Sequence, residues 1–154
     1  MNENVTNMYL TFRLGQQTFG IEITKIREIL TYPEITEIPD SKPWVKGVVN
    51  LRGAATPIID LRIRFKTQNE PGYNDKTIVI ATKVNEERFI GYVVDAISDI
   101  ESVNTDELMP ASGSGVIDAR FLRGYIKKEG RMIVIIDTDN ILSEAEMNFL
   151  GQPA

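Results

Sequence analysis

The sequence predicts an all-β fold, two similar small barrels with a short carboxyl-terminal helix. Three observations predict it. Short apolar stretches of strand character are spaced by turn residues at intervals typical of small barrels or sandwiches. Several of these stretches alternate apolar and polar residues with the period of two that one buried strand face requires. The chain also repeats itself. "FGIEITKIREI" at 19–29 lies over "IGYVVDAISDI" at 90–100, pairing Gly20 with Gly91, Ile26 with Ile97, Glu28 with Asp99 and Ile29 with Ile100 at an offset of 71. "VKGVVNLRGAATPIID" lies over "LRGYIKKEGRMIVIID", pairing Gly47 with Gly124, Gly53 with Gly130 and Asp60 with Asp137 at an offset of 77. Pro39 and Pro110 still keep the offset of 71, so the longer loop of the second copy falls within "ASGSGVIDAR". Residues 1–154 read as one unit made of repeat halves 8–70 and 73–150.

Taken in order, Tyr9–Leu14 is the first strand, and Thr18–Ile23 returns from the "GQQ" turn with Phe19, Ile21 and Ile23 alternating with Gly20 and Glu22. The two form a hairpin. In "VVNLRGAATPIIDLR" at 48–62, Gly53 sits between two strand stretches, as Gly130 does in the second copy. Each marks a hairpin corner that uses a positive φ. Pro57 has no N–H, so the returning strand is expected to begin near it or to lie at an edge. Asn50 and Arg52 have no folding rationale in the repeat, because Lys127 and Glu129 replace them. "LRIRF" at 61–65 alternates as a strand would, with Arg62, Arg64 and then Lys66 on its solvated face. "TIVIATKV" and "RFIGYVVDAI" are apolar enough for central strands. At the end, "SEAEMNFL" carries a capping box of Ser143 and Glu146 and predicts a helix of about two turns.

Composition narrows the function. The 154 residues are 42% hydrophobic and contain neither cysteine nor histidine. A thiolate metal site and a disulfide framework are thereby excluded, and the commonest general base and metal ligand are missing. No metal and no cofactor is expected. The net charge of −5 argues against affinity for nucleic acid built on phosphate contacts. Neither a GxGxxG nor a GxxxxGK[ST] phosphate loop occurs at the corner. The opening "MNENVTNMYL" lacks the basic start of a signal peptide, and no apolar run approaches the roughly 18 to 20 residues of a membrane span. A soluble, cytoplasmic protein is expected. Two other classes remain in view: a single-stranded nucleic-acid module stacking bases on aromatics, and a hydrolase built on acids such as Asp60, Asp95 or Asp137.

Together "FGIEITKIREI", "IPDSKPWVKGVVNLRGAATPIIDLRIRF", "FIGYVVDAISDI", "ELMP" and "RMIVIIDTDNIL" resemble the CheW-type coupling proteins of bacterial and archaeal chemotaxis, a family whose domain also ends the kinase CheA. The likeness runs over residues 8 to 150, and "VKGVVNLRG…PIIDLR" is its strongest part. It implies two packed SH3-like five-stranded β-barrels and no enzymatic activity. It also implies an adaptor between the cytoplasmic tips of chemoreceptors and the regulatory domain of CheA, held at the inner face of the membrane through receptor arrays. The chain is too short to be the kinase itself. A regulatory module of a kinase pathway unrelated to motility is the nearest alternative.

By the same resemblance Ile26, Glu28, Ile29 and Ile78 match receptor-facing positions, and Gly47, Asn50 and Arg52 match the surface offered to the kinase. Each also has a plain structural reading. Core packing is the preferred one for Ile29 and Ile78 and strand crowding for Gly47, whereas for Glu28 with Arg52 a plain surface ion pair and a partner role stand level. Three features depart from the family pattern. Ala54, Ala55 and Thr56 are smaller and more polar than usual, and the loop after Pro110 lacks an aromatic anchor for ring contacts. Trp44 stands where phenylalanine is common and is expected to pack under the corner.

Overall fold

Strand alternation at the amino terminus becomes a hairpin in which β1 (Thr6–Leu14) pairs antiparallel with β2 (Gln17–Glu22) and Phe12 faces Phe19. Their rings stack at 5.9 Å. The computed structural model describes residues 6–39, 41–67, 72–85, 87–110, 117–143 and 145–147. Among these, the remaining strands are β3 (Ile26–Thr31), β4 (Val45–Leu51), β5 (Ala54–Asp60), β6 (Ile78–Lys83), β7 (Phe89–Val94), β8 (Ala96–Asn104), β9 (Leu122–Lys128) and β10 (Arg131–Ile136). One helical turn, α1 (Leu61–Arg64), follows β5.

Two five-stranded sheets result, ordered β8-β1-β2-β10-β9 and β3-β6-β7-β5-β4. The repeat maps one order onto the other, so the all-β expectation holds and β6 and β7 are central strands as predicted. The sheets do not coincide with the sequence halves. Each takes a hairpin from one half and three strands from the other. The join is a short parallel ladder in each case, with Ile135 opposite Gly20 and Ile58 opposite Gly91. A Cβ on Gly20 would stand 3.0 Å from Ile135 Cδ1, and one on Gly91 would stand 2.7 Å from Ile58 Cδ1. Equivalent glycines therefore admit equivalent isoleucines at the two joins.

Each sheet curls until its edges meet. Just beyond β3, Thr36 exchanges both backbone hydrogen bonds with Val48 of β4, at 3.0 and 2.9 Å. Just beyond β8, Met109 does the same with Tyr125 of β9, at 2.8 and 2.9 Å. In each sheet the two outermost strands are thus tied together, the closure a small barrel requires. The strand is bulged at the crossing, where Gly47 has φ +142° and Gly124 has φ +151°. Only glycine permits the approach, since a Cβ on Gly47 would fall 2.1 Å from the Thr36 carbonyl oxygen and one on Gly124 would fall 2.2 Å from that of Met109.

The main core lies between the sheets, where Phe12, Phe19 and Val134 of one meet Ile59, Ile80 and Tyr92 of the other. Smaller cores fill each sheet's own curl: Tyr9, Val103, Ile126, Ile133 and Ile135 in one, and Ile58, Val79 and Val93 in the other. Pro57 is a partial correction. β5 starts three residues earlier, at Ala54, and only its ladder to β7 waits until Ile58, one residue past the missing N–H.

Residues 61–65 are a clear correction, because the predicted strand is the single turn α1. Asp60 caps it, accepting a hydrogen bond from Arg62 N at 2.9 Å. Arg62 is only 1% exposed rather than solvated. Its Nε and Nη2 donate to the two carboxylate oxygens of Asp60 at 3.1 and 2.9 Å. Its Nη1 donates to Asp95 Oδ1 at 2.7 Å and to the Gly72 carbonyl at 2.8 Å. Tyr73 Oη donates to Asp60 Oδ2 at 2.7 Å. Burial by itself would lower the Arg62 pKa, but its bonds and charge contacts with Asp60 and Asp95 raise it. Arg62 stands between those two carboxylates, so they flank a cation and not an open hydrolytic site. Asp137, the repeat mate of Asp60, accepts instead from Asp139 N and Asn140 Nδ2.

Trp44 is a second correction. It precedes β4 at the end far from the corner, where its carbonyl accepts from Asp60 N at 2.8 Å and the Arg64 guanidinium covers its ring at 4.2 Å. Arg64 Nη2 in turn donates to Glu146 Oε1 at 2.8 Å. The expected capping box is formed, with Ser143 N donating to Glu146 Oε1 and Glu146 N to Ser143 Oγ at 2.8 and 3.1 Å. Residues 145–147 are helical, and the rest of the predicted helix lies outside the described residues.

Burial by itself would raise the Glu146 pKa, but the Ser143 amide and Arg64 bring it below the ordinary carboxylate value. A carboxylate depressed on folding contributes stability above its unfolded pKa of about 4.3 and loses it as pH falls through the lower, folded value. Emission of Trp44, the only tryptophan, is therefore expected to change with a midpoint below about pH 4.3. The step should vanish in Glu146→Gln, and its survival there would show that Glu146 does not hold Arg64 on the ring.

Candidate interaction surface at the β4–β5 corner

β4 and β5 pair up to Leu51 opposite Ala54, leaving a two-residue turn of Arg52 and Gly53. Their φ values are +52° and +85°. Both are positive, as the hairpin turn that matches strand twist demands. Asn50 Oδ1 accepts a hydrogen bond from Gly53 N at 2.8 Å. Asn50 thus has a folding role that the repeat comparison missed. Glu129 and Gly130 form the same turn in the second copy, at φ +52° and +78°, without that side-chain brace.

Arg52 reaches back from the turn to β3, where its Nε donates to Glu28 Oε1 at 2.9 Å. The expected ion pair is present. It crosses the mouth of the barrel above the small cluster of Leu51, Ala81 and Phe89. With the Arg52 side chain 57% exposed, the pair contributes at most about 1 kcal/mol. The second corner cannot repeat it. Asp99 and Glu129 occupy the matching positions and carry the same charge. That corner carries a different ion pair, Arg131 Nη2 donating to Glu101 Oε1 of β8 at 3.2 Å, so the two corners differ in which positions hold the charges.

The predicted residues divide into two groups. Glu28, Asn50 and Arg52 meet at the corner. Ile26, Ile29 and Ile78 lie on the face toward the other sheet, as shown by their pairings with Thr82, Ile80 and Thr31. Ile26 and Ile78 are half-buried against the main core. Ile29 is 45% exposed, which corrects the preferred core reading. β3 ends the hydrogen-bonded order of its sheet, and Ile29, although on the face toward the other sheet, lies at that edge. Gly47 is buried beneath Thr36 and offers no side chain to a partner.

One apolar position was legible and missed. Ile100, the repeat mate of Ile29, is 52% exposed on β8, and Met8 of β1 emerges beside it opposite Ser102. The offset that paired the two isoleucines was enough to predict matching exposure. Among the described residues no helix is long and apolar enough to cross a membrane, and no group of three or more acidic side chains is placed to hold a metal ion.

Comparison with known proteins bears on the whole chain. Residues 8–146 match the CheW-like domain model. The chemotaxis protein CheW of Klebsiella aerogenes is 37% identical over 153 residues, which cover 99% of this chain and 91% of that protein. CheW of Bacillus subtilis is 31% identical over 140 residues, covering 88% of this chain and 86% of that one. In the crystal structure of the scaffolding protein TtCheW from Thermoanaerobacter tengcongensis, the fold matches with a TM-score of 0.82 at 25% identity, over 92% of this chain and 91% of that one. With two interleaved five-stranded sheets and a family match running from β1 into the carboxyl-terminal helical turn, the chain belongs to the CheW-like family of chemotaxis proteins.

Proposed function

We propose that this chain is a non-enzymatic coupling scaffold of the cytoplasm, joining the tips of chemoreceptors to the regulatory domain of the kinase CheA. Membership of the CheW-like family supports the scaffold role. The observation that carries the surface assignment is β3 itself, which brings Glu28, paired with Arg52 at the corner, and the exposed Ile29 to one edge of the sheet. Buried apolar anchors supply most interface energy while surrounding charges set register and exclude wrong partners. Ile29 serves as the anchor toward the receptor, backed by Ile26 and Ile78, with Glu28 at its border. Arg52 carries the charge toward the kinase, on a turn held by Asn50 and a strand shaped by Gly47.

Calorimetric titration against a chemoreceptor tip, and separately against a CheA regulatory domain, tests this. The wild-type chain is expected to bind each at micromolar affinity. Arg52→Glu should weaken at least one of them about tenfold while changing stability by no more than about 1 kcal/mol. The double reversal Glu28→Arg with Arg52→Glu restores the internal pair but not its outward polarity, so binding should stay weak. Recovery of binding there would make the pair structural, and failure of the wild type to bind either partner would remove the coupling role.

A further inference from the structure

We infer that the cleft between α1 and the turn at Ala119–Phe121 is a binding site for a phosphoryl dianion. It encloses about 220 Å³ and is lined by Arg64, Phe65, Lys66, Asp118, Arg120 and Phe121. Three cations therefore face one carboxylate in a chain whose net charge is −5. Asp118 pairs with Arg120, and Glu146, outside the lining, pairs with Arg64 at 2.8 Å, so one positive charge is left over to draw in a phosphoryl group. The inference does not rest on the coupling role. The cleft adjoins the end of β5 away from the corner, the length of that strand, roughly 20 Å, from Arg52.

The cations are held by short fixed turns. Arg64 ends α1 with its guanidinium 4.2 Å from the Trp44 ring centroid and 4.9 Å from that of Phe121. Arg120 lies 4.8 Å from the same Phe121 ring, and its own Asp118 pairs with it at 3.2 Å. Two guanidiniums thus share one aromatic ring. Burial pushes the Arg64 pKa down, Glu146 opposes that, and the charge of Arg120 adds to the lowering. Such repulsion is what a bound anion relieves. Lys66 takes a left-handed φ of +61° just past α1, where glycine or asparagine is usual, and among the described residues its ammonium has no acidic partner. Arg64 already donates from Nε to the Ile141 carbonyl at 3.1 Å and from Nη2 to Glu146 at 2.8 Å, so its Nη1, the Arg120 guanidinium and the Lys66 ammonium are the donors offered to phosphoryl oxygens.

The test is titration of the full chain with sodium pyrophosphate and, separately, with O-phospho-L-serine at constant ionic strength, followed by calorimetry and amide NMR. Saturable binding is expected, with shifts confined to residues 61–67 and 118–121. The variant Lys66→Asn with Arg120→Gln should weaken it at least about tenfold. Asparagine tolerates the left-handed backbone, and both side chains are exposed. Arg120→Gln alone, which leaves α1 untouched, should weaken it about fivefold. The tighter ligand distinguishes a polyphosphate source from a phosphorylated side chain. Absence of saturable binding to both ligands, or affinity unchanged in the double variant, overturns the site.

Discussion

Arg62→Ala is expected to destabilise the fold by about 3–5 kcal/mol, the cost of leaving a buried carboxylate without its cation. Asp60 is fully buried and holds both oxygens against Arg62, with Tyr73 as its other side-chain donor. Asp95, on the far side of the same guanidinium, also accepts from Gly15 N at 2.6 Å. Gly15 belongs to the β1–β2 turn, so the truncation also loosens a tie between the two sheets. Urea denaturation measures the effect. Arg52→Ala, which removes an ion pair of the same 2.9 Å length, should cost no more than about 1 kcal/mol, because water solvates both charges once they part. Asp60→Asn combined with Arg62→Met should recover part of the loss, since no buried charge is then unpaired. A cost below about 1 kcal/mol for Arg62→Ala would show that water reaches Asp60.

Gly47→Ala is expected to cost about 3 kcal/mol or more, through a backbone clash added to left-handed strain. The added methyl would sit 2.1 Å from the Thr36 carbonyl oxygen, a backbone atom that cannot swing aside as a side chain would. Gly124→Ala should behave alike against Met109. Gly53→Ala is the control. Its φ is +85°, but nothing lies within 4 Å of the new Cβ, so it should cost only the roughly 1–2 kcal/mol of the left-handed backbone. Thermal unfolding of the three variants ranks them. Equal losses at Gly47 and Gly53 would mean that closure of the barrel does not depend on the small residue.

The repeat was legible because equivalent residues do equivalent work. Gly20 and Gly91 each admit an isoleucine, and Gly47 and Gly124 each admit a closing segment. The exchange of hairpins between the halves was not legible, because strand alternation records which face is buried and not which strand lies alongside. Residues 61–65 misled for a related reason. Over five residues a period of two and a single capped turn give the same apolar pattern, and only the buried partners of Arg62 decide between them. At the candidate site, the family resemblance foresaw the Glu28–Arg52 pair. It could not foresee that Ile29 is exposed, since exposure at an edge strand depends on how far the other sheet extends over it. Asn50 was misread because its function is a hydrogen bond three residues away, specific to one copy.

The sheet of β3 to β7 uses consecutive strands, whereas the other joins the first two strands to the last three. This sets an order of events on the ribosome. The inner sheet can close once β7 has emerged, while the β1–β2 hairpin waits, both edges open, until β8, β9 and β10 are made. Thr18 meets Ile133 only after 114 intervening residues have been synthesised. Unpaired strand edges on a nascent chain are where aggregation begins. The early hairpin is thus the segment for which a chaperone, or a slow-folding mutant, matters most.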